Sequence, residues 1–94
     1  MSANFIIAET ESFQKLIQKP HFRPLYSKIV DYIYPQLRQN PFFGLNIKKL
    51  KGDLNNFYRY RIGNHRLFYT IDKTKSMVFI IGLRPQDRDN FMRI

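Results

Sequence analysis

The sequence predicts an α+β fold, with two helices first and an antiparallel sheet after them. Three observations lead there. Apolar residues recur at helical spacing through the first half of the chain, aromatic and basic residues alternate on both sides of Gly63-Asn64, and a near-continuous apolar run extends from Met77 to Leu83. The chain has 94 residues, the size of one compact domain, so a single domain spanning 1–94 is expected. With 44% hydrophobic and 16% aromatic residues it carries enough apolar material for one core.

Phe5-Ile6-Ile7-Ala8 is a short apolar run suited to a strand. Thr10 offers an N-cap oxygen to a first helix, and Glu11 favours the positive end of its dipole. Phe13, Leu16 and Ile17 fall on one stripe of that helix, which Pro20 stops. Pro24 opens a second helix, where Leu25, Ile29 and Ile33 recur every four residues and Val30 and Leu37 widen the stripe. Pro35 lacks a backbone donor and crowds the preceding turn, so the helix is expected to kink or end near it. Asn40-Pro41 begins a loop in which Phe42-Phe43-Gly44-Leu45 is expected to tuck aromatics under the core. The run Ile47 to Lys51 then delivers Lys48, Lys49 and Lys51.

Phe57 to Ile62 and His65 to Ile71 read as two strands joined by the two-residue turn Gly63-Asn64. Asp72-Lys73-Thr74-Lys75 is a second turn leading into the inner strand from Met77. A helical turn is expected around Asp89 to Arg93. If Gly63-Asn64 is the loop, Ile62 faces His65, Arg61 faces Arg66, Tyr60 faces Leu67 and Arg59 faces Phe68. Alternation then puts Arg59, Arg61, Arg66 and Phe68 on one surface. Tyr58, Tyr60, Ile62, Leu67, Tyr69 and Ile71 lie on the other, the face for the helices to cover. Simple parity groups Arg84 with Val78 and Ile80, while twist and Gly82 leave its direction open. Antiparallel pairing of the last two strands returns Arg84 towards Arg66, beside the lysine loop.

The formal net charge is +9, with a pI near 10.1. Such a balance favours a polyanionic partner, whether RNA, DNA, an acidic protein or an anionic surface. Two arginines in direct opposition repel across a sheet. An anion between them, accepting their forked hydrogen bonds, gives that arrangement a purpose. The chain has no cysteine, which excludes disulfides, thiolate metal sites and a thiol nucleophile. No metal-ligand spacing, phosphate-binding glycine loop or nucleophile–base pair is present, and no metal or cofactor is expected. No apolar run is long enough to cross a bilayer and no secretory signal is visible, so a cytoplasmic protein with no membrane partner is expected. His21 reads as a surface or capping residue. His65 falls on the face opposite the arginines and reads as structural. Phosphodiester cleavage remains open to such a surface, because the RNA 2′-hydroxyl can serve as nucleophile. Arginines can stabilise the charge that develops, and a lysine can assist proton transfer.

Leu50-Lys51-Gly52, the stretch from Tyr58 to Tyr69, Ile80-Ile81-Gly82-Leu83-Arg84 and Asn40-Pro41 together resemble the conserved core of RelE/ParE toxins, over essentially the whole chain. The resemblance implies two helices packed on a curved antiparallel sheet and the toxin half of a toxin–antitoxin pair. In RelE-type members the concave face cleaves mRNA in the ribosomal A site. On that pattern Arg66, Arg84, Lys51 and Arg61 are the candidate catalytic residues. Lys48, Lys49, Arg59, Phe68, Arg88 and Phe91 are the candidate RNA contacts. The implied partners are a cognate antitoxin, forming a hetero-oligomer with the toxin, and the ribosome with its mRNA. Many relatives end in Arg-x-x-Tyr; here Arg88-Asp89-Asn90-Phe91 stands instead, and Phe91 can stack on a base but cannot exchange a proton. The alternative that the resemblance implies is a ParE-like toxin, which inhibits DNA gyrase without cleaving nucleic acid.

Overall fold

Thr10 sets the first corner of the fold. Its hydroxyl accepts the Phe13 amide at 3.3 Å, capping the helix as its position in sequence indicates, and donates to the Ile80 carbonyl at 3.0 Å. In the computed structural model, which describes residues 4–52 and 56–85, Thr10 thus joins the end of a first strand, the start of a first helix and the middle of the last strand. The elements are β1 (Ile6–Glu9), α1 (Glu11–Ile17), a 3-10 turn (Pro20–Phe22), α2 (Arg23–Lys28), a π-helical turn (Ile29–Ile33), α3 (Tyr34–Gln39), β2 (Ile47–Lys49), β3 (Phe57–Ile62), β4 (His65–Asp72) and β5 (Met77–Pro85).

The second helical stretch runs through Pro35 rather than ending there. Proline cannot donate to the carbonyl four residues back and its ring needs room at that carbonyl. The wide turn just before it supplies the room, with the Tyr34 amide reaching back five residues to Ile29. Ile29, Ile33 and Leu37 are buried as their spacing predicts, whereas Val30 faces outward.

The five strands form one sheet in the order β1-β5-β4-β3-β2. This corrects the all-antiparallel sheet expected from sequence. The steps from β2 to β5 are antiparallel, but β1 lies parallel to β5, with Ile7 opposite Val78 and Glu9 opposite Ile80. The chain leaves β1 through the helices, enters the sheet at its far edge and meanders back, so the contact of β1 with β5 closes only at the end. β2 is a further strand that the sequence did not reveal. It pairs Ile47 with Tyr60, Lys48 with Arg59 and Lys49 with Tyr58.

The helices and one face of the sheet enclose the core. Phe13, Ile29, Ile33, Tyr34 and Leu37 meet Tyr60, Leu67, Tyr69, Val78, Ile80 and Leu83. A fully enclosed side chain such as Leu67 contributes about 1.5–3 kcal/mol by leaving water. Tyr69 is fully buried and keeps its hydroxyl satisfied by donating to the Pro41 carbonyl at 2.8 Å. The loop after α3 departs from expectation in part. Phe42 packs edge-on against Phe5 and Tyr58, but Phe43 and Leu45 stand exposed at 78% and 97%.

Glu9 is a polar node that the sequence did not signal. The hydroxyls of Tyr26 and Tyr34 both donate to its Oε2 at 2.7 Å, tying the second helical stretch to β1. Burial first, and then the adjoining carboxylate, push the Tyr26 phenol up to about 12, and the same causes raise that of Tyr34 further.

Candidate nucleic-acid interface

The site is built on the β3–β4 hairpin. Gly63 takes a positive φ of 59°, which suits glycine, and Asn64 does not, the pattern of a II′ hairpin turn. The turn fixes the register read from sequence: Ile62 opposite His65, Arg61 opposite Arg66, Tyr60 opposite Leu67 and Arg59 opposite Phe68. Tyr60, Leu67 and Tyr69 turn into the core, so Arg59, Arg61, Arg66 and Phe68 occupy the face away from the helices.

β5 extends the rows. Arg66 stands opposite Arg84 and Phe68 opposite Gly82, but Tyr69 stands opposite Ile80, leaving Ile81 without a partner. This bulge reverses the parity of the strand. Val78, Ile80 and Leu83 are all buried, and Arg84 lands on the opposite face, where simple alternation would have placed it with Val78 and Ile80. The outcome is one row of arginines across three strands, Arg61–Arg66–Arg84, beside a second row, Lys48–Arg59–Phe68–Gly82. With strands about 4.8 Å apart, the three arginine stems rise within roughly 10 Å of one another.

Electrostatics follow from that crowding. The Arg59 guanidinium is held below its ordinary value by burial first, then by the charges of Arg66 and Arg61. The Arg66 Nε is buried and has no hydrogen-bond partner among the described residues. A buried donor left unpaired costs free energy, and an anionic oxygen accepting from it removes that cost. Leu45, Asn46, Ile47, Lys48, Arg59 and Arg61 line a cleft of about 220 Å³ at the outer end of the rows. Asn46, whose carbonyl accepts the Arg61 amide at 3.0 Å, had no signal in the sequence.

The structure does not gather every residue read from sequence. Lys48 joins the row of Arg59, whereas Lys49 takes the register position opposite Tyr58, on the helix side of the edge strand. Lys51 is exposed just after β2. Arg88, Phe91 and the helical turn expected around Asp89 to Arg93 lie outside the described residues. His65 pairs with Ile62 on the face away from the arginines, its ring edge-on to Phe22 at 6.0 Å, and His21 lies exposed against Phe22 at 4.3 Å. Among the described residues no group of three or more His, Cys, Asp or Glu could hold a metal ion, and no helix is long and apolar enough to cross a membrane.

The family model described as ParE toxin of type II toxin–antitoxin system, parDE, matches residues 10–90. No curated protein matches the chain. The fold is similar to that in the crystal structure of the RelBE2 toxin–antitoxin complex from Mycobacterium tuberculosis, with a TM-score of 0.73 and 22% identity over 87% of this chain and 98% of that one. It is similar also to the archaeal RelE–RelB complex from Pyrococcus horikoshii OT3, with a TM-score of 0.67 and 22% identity over 92% and 99% of the two chains. The YoeB dimer from Staphylococcus aureus matches with a TM-score of 0.62 and 25% identity over 87% of this chain and 97% of that one.

Proposed function

Because the chain belongs to the ParE toxin family of type II toxin–antitoxin systems, we propose that it is a toxin whose arginine face cuts ribosome-bound mRNA and thereby blocks translation. The observation that carries this reading is the row Arg61–Arg66–Arg84, together with the buried Nε of Arg66, which has no partner among the described residues. Like charges in direct opposition weaken a sheet, so the row has no structural benefit of its own. It suits a phosphate whose charge grows during reaction.

In this reading the scissile phosphate sits between Arg66 and Arg84, whose forked donors engage its non-bridging oxygens. The neighbouring 2′-hydroxyl loses its proton and attacks phosphorus in line, the bond to the 5′-oxygen breaks, and that oxygen takes up a proton. Arginines already in place stabilise the added charge without reorganising. Arg61 adds positive charge at the same row, and Lys51 is the candidate for the proton transfers. Lys48, Arg59 and Phe68 hold the flanking nucleotides, with Lys49, Arg88 and Phe91 as outer contacts. No metal enters the scheme.

The proposed protein partner is a cognate antitoxin that forms a hetero-oligomer with the toxin. The Mycobacterium tuberculosis structure is itself a toxin–antitoxin complex, and the Pyrococcus horikoshii structure is a RelE–RelB complex. An acidic, extended segment would suit the net charge of +9 and would cover the exposed Tyr32, Phe43 and Leu45.

A second reading rests on the name of the matching family model. The sequence resemblance implies, as its alternative, a ParE-like toxin that inhibits DNA gyrase, and a shared fold does not fix the target. Two assays run in parallel separate the readings: mapping of mRNA 5′ ends on programmed ribosomes, and supercoiling by purified gyrase. Cleavage confined to the A-site codon supports the nuclease. Intact mRNA with blocked supercoiling supports the gyrase inhibitor.

A further inference from the structure

Gly82 lies in the interior of β5, between the bulged Ile81 and the core residue Leu83. Glycine weakens a strand there, since it packs nothing and gives up more backbone freedom than any other residue. Nothing in the described chain requires it. Its φ is not in the left-handed region, and a Cβ built at 82 meets no described atom within 4 Å. A β-branched residue would be the ordinary choice for an inner strand.

The surroundings give the glycine a use. Gly82 is directly opposite Phe68, in the row that continues through Arg59 to Lys48. The next row on the same face is the Arg66–Arg84 pair. Two residues along a strand is about 6.6 Å, comparable to the reach from a phosphate to the base of its own nucleotide. Phe68 is half-buried, with its ring flanked on the β5 side by a position that has no side chain. A phosphate held by Arg66 and Arg84 would therefore carry its base over an aromatic ring with an open floor next to it.

We infer that the space over Gly82, beside Phe68, is the seat of one unpaired RNA base, and that residue 82 sets how large an occupant the seat accepts. The inference rests on the RNA reading above and deepens it by naming the contact that takes the base rather than the phosphate. Stacking on an aromatic ring tolerates any base, so the seat adds binding without dictating sequence.

The test uses the purified full chain and two short single-stranded RNAs of one length, one intact and one with an abasic site at its centre. Their affinities are compared in wild type, Gly82→Val, Gly82→Ala and Phe68→Ala, with thermal unfolding of each variant measured alongside. Wild type is expected to prefer the intact RNA by roughly 5- to 150-fold, the range of one base–aromatic stack. Gly82→Val should lose most of that preference while binding the abasic RNA as wild type does, and Phe68→Ala should lose most of the preference as well. Gly82→Ala carries the test should valine lower the melting temperature, and is expected to lose part of the preference. Equal affinity of wild type for the two RNAs, or an undiminished preference in the folded Gly82 variants, overturns the seat. Ribosomal cleavage measured on the same proteins keeps the two readings apart. Cleavage by wild type with no base preference removes the seat alone, and a base preference governed by residue 82 without cleavage removes the nuclease alone.

Discussion

Arg66 and Arg84 stand directly opposite one another on β4 and β5, and they share the face away from the core because Ile81, between Ile80 and Gly82, has no partner on β4. Without that one unpaired residue the parity that buries Val78 and Ile80 would carry Arg84 into the core as well. Thr10 braces the strand beside the bulge, its amide and its hydroxyl both donating to the Ile80 carbonyl, at 3.1 and 3.0 Å. A structural anchor at the start of α1 thus lies next to the irregularity that assembles the site.

Replacing either arginine should separate stability from activity. Arg66→Ala and Arg84→Ala each remove a like-charge opposition, and each folded variant is expected to gain up to about 1 kcal/mol in urea unfolding. Growth arrest should be relieved in both, with cleavage reduced about 100-fold or more, the scale seen when one donor to a developing anion is lost. A loss of stability in both variants would show that the pair is structural.

Thr10→Val removes the cap and the hydroxyl's bond to the Ile80 carbonyl in one step, leaving the backbone amide bond in place. The expected cost is about 1–2 kcal/mol in chemical denaturation, with Thr10→Ser recovering most of it. Equal stability of Thr10→Val and wild type would remove the bracing role.

The Glu9 node gives a pH signature. The folded Tyr26 phenol titrates near 12 and that of Tyr34 higher, against about 10 for a free tyrosine. Folded-state values raised in this way leave the folded chain holding more protons than the unfolded one between about pH 10 and 12. Their contribution is complete below pH 10 and declines as pH rises through that window, with the part due to Tyr34 still declining above it. Tyr26→Phe with Tyr34→Phe should flatten the alkaline fall in melting temperature over that range. Burial also raises the Tyr69 phenol, so some slope should persist. An unchanged slope in the double variant would contradict the assignment.

Much of the hairpin was legible in the sequence. Gly63-Asn64 fixes the loop, and alternation then dictates every pair from Arg61–Arg66 to Arg59–Phe68. The parallel contact of β1 with β5 was not legible, because nothing local in Ile6–Glu9 records which strand will lie beside it after the chain returns. β2 was hidden in a lysine-rich run of three residues whose pairing depends on an edge being available. The bulge at Ile81 was invisible to parity counting, which assumes an unbroken ladder. Nothing in the sequence singles out Tyr26 or Tyr34, because their shared acceptor is present only once β1 brings Glu9 to both hydroxyls.

RNA affinity should fall steeply with salt, since phosphate contacts release counterions. Each arginine removed from the row should lower the slope of log affinity against log salt by about 0.7 for single-stranded RNA. Arg61→Ala is the cleanest case, because Arg61 is exposed and its removal opens no cavity in the core. A slope identical to that of wild type would mean that Arg61 meets no phosphate.

If Arg66 and Arg84 grip one phosphate, their contributions to cleavage cannot be independent. Single-turnover cleavage of mRNA on programmed ribosomes, measured for wild type, both single alanine variants and the double variant, addresses this. The expected result is a double variant little slower than the slower single one, with all four proteins equally folded. Rate losses that multiply, or wild-type cleavage by a folded double variant, would contradict the shared phosphate and the site built on it.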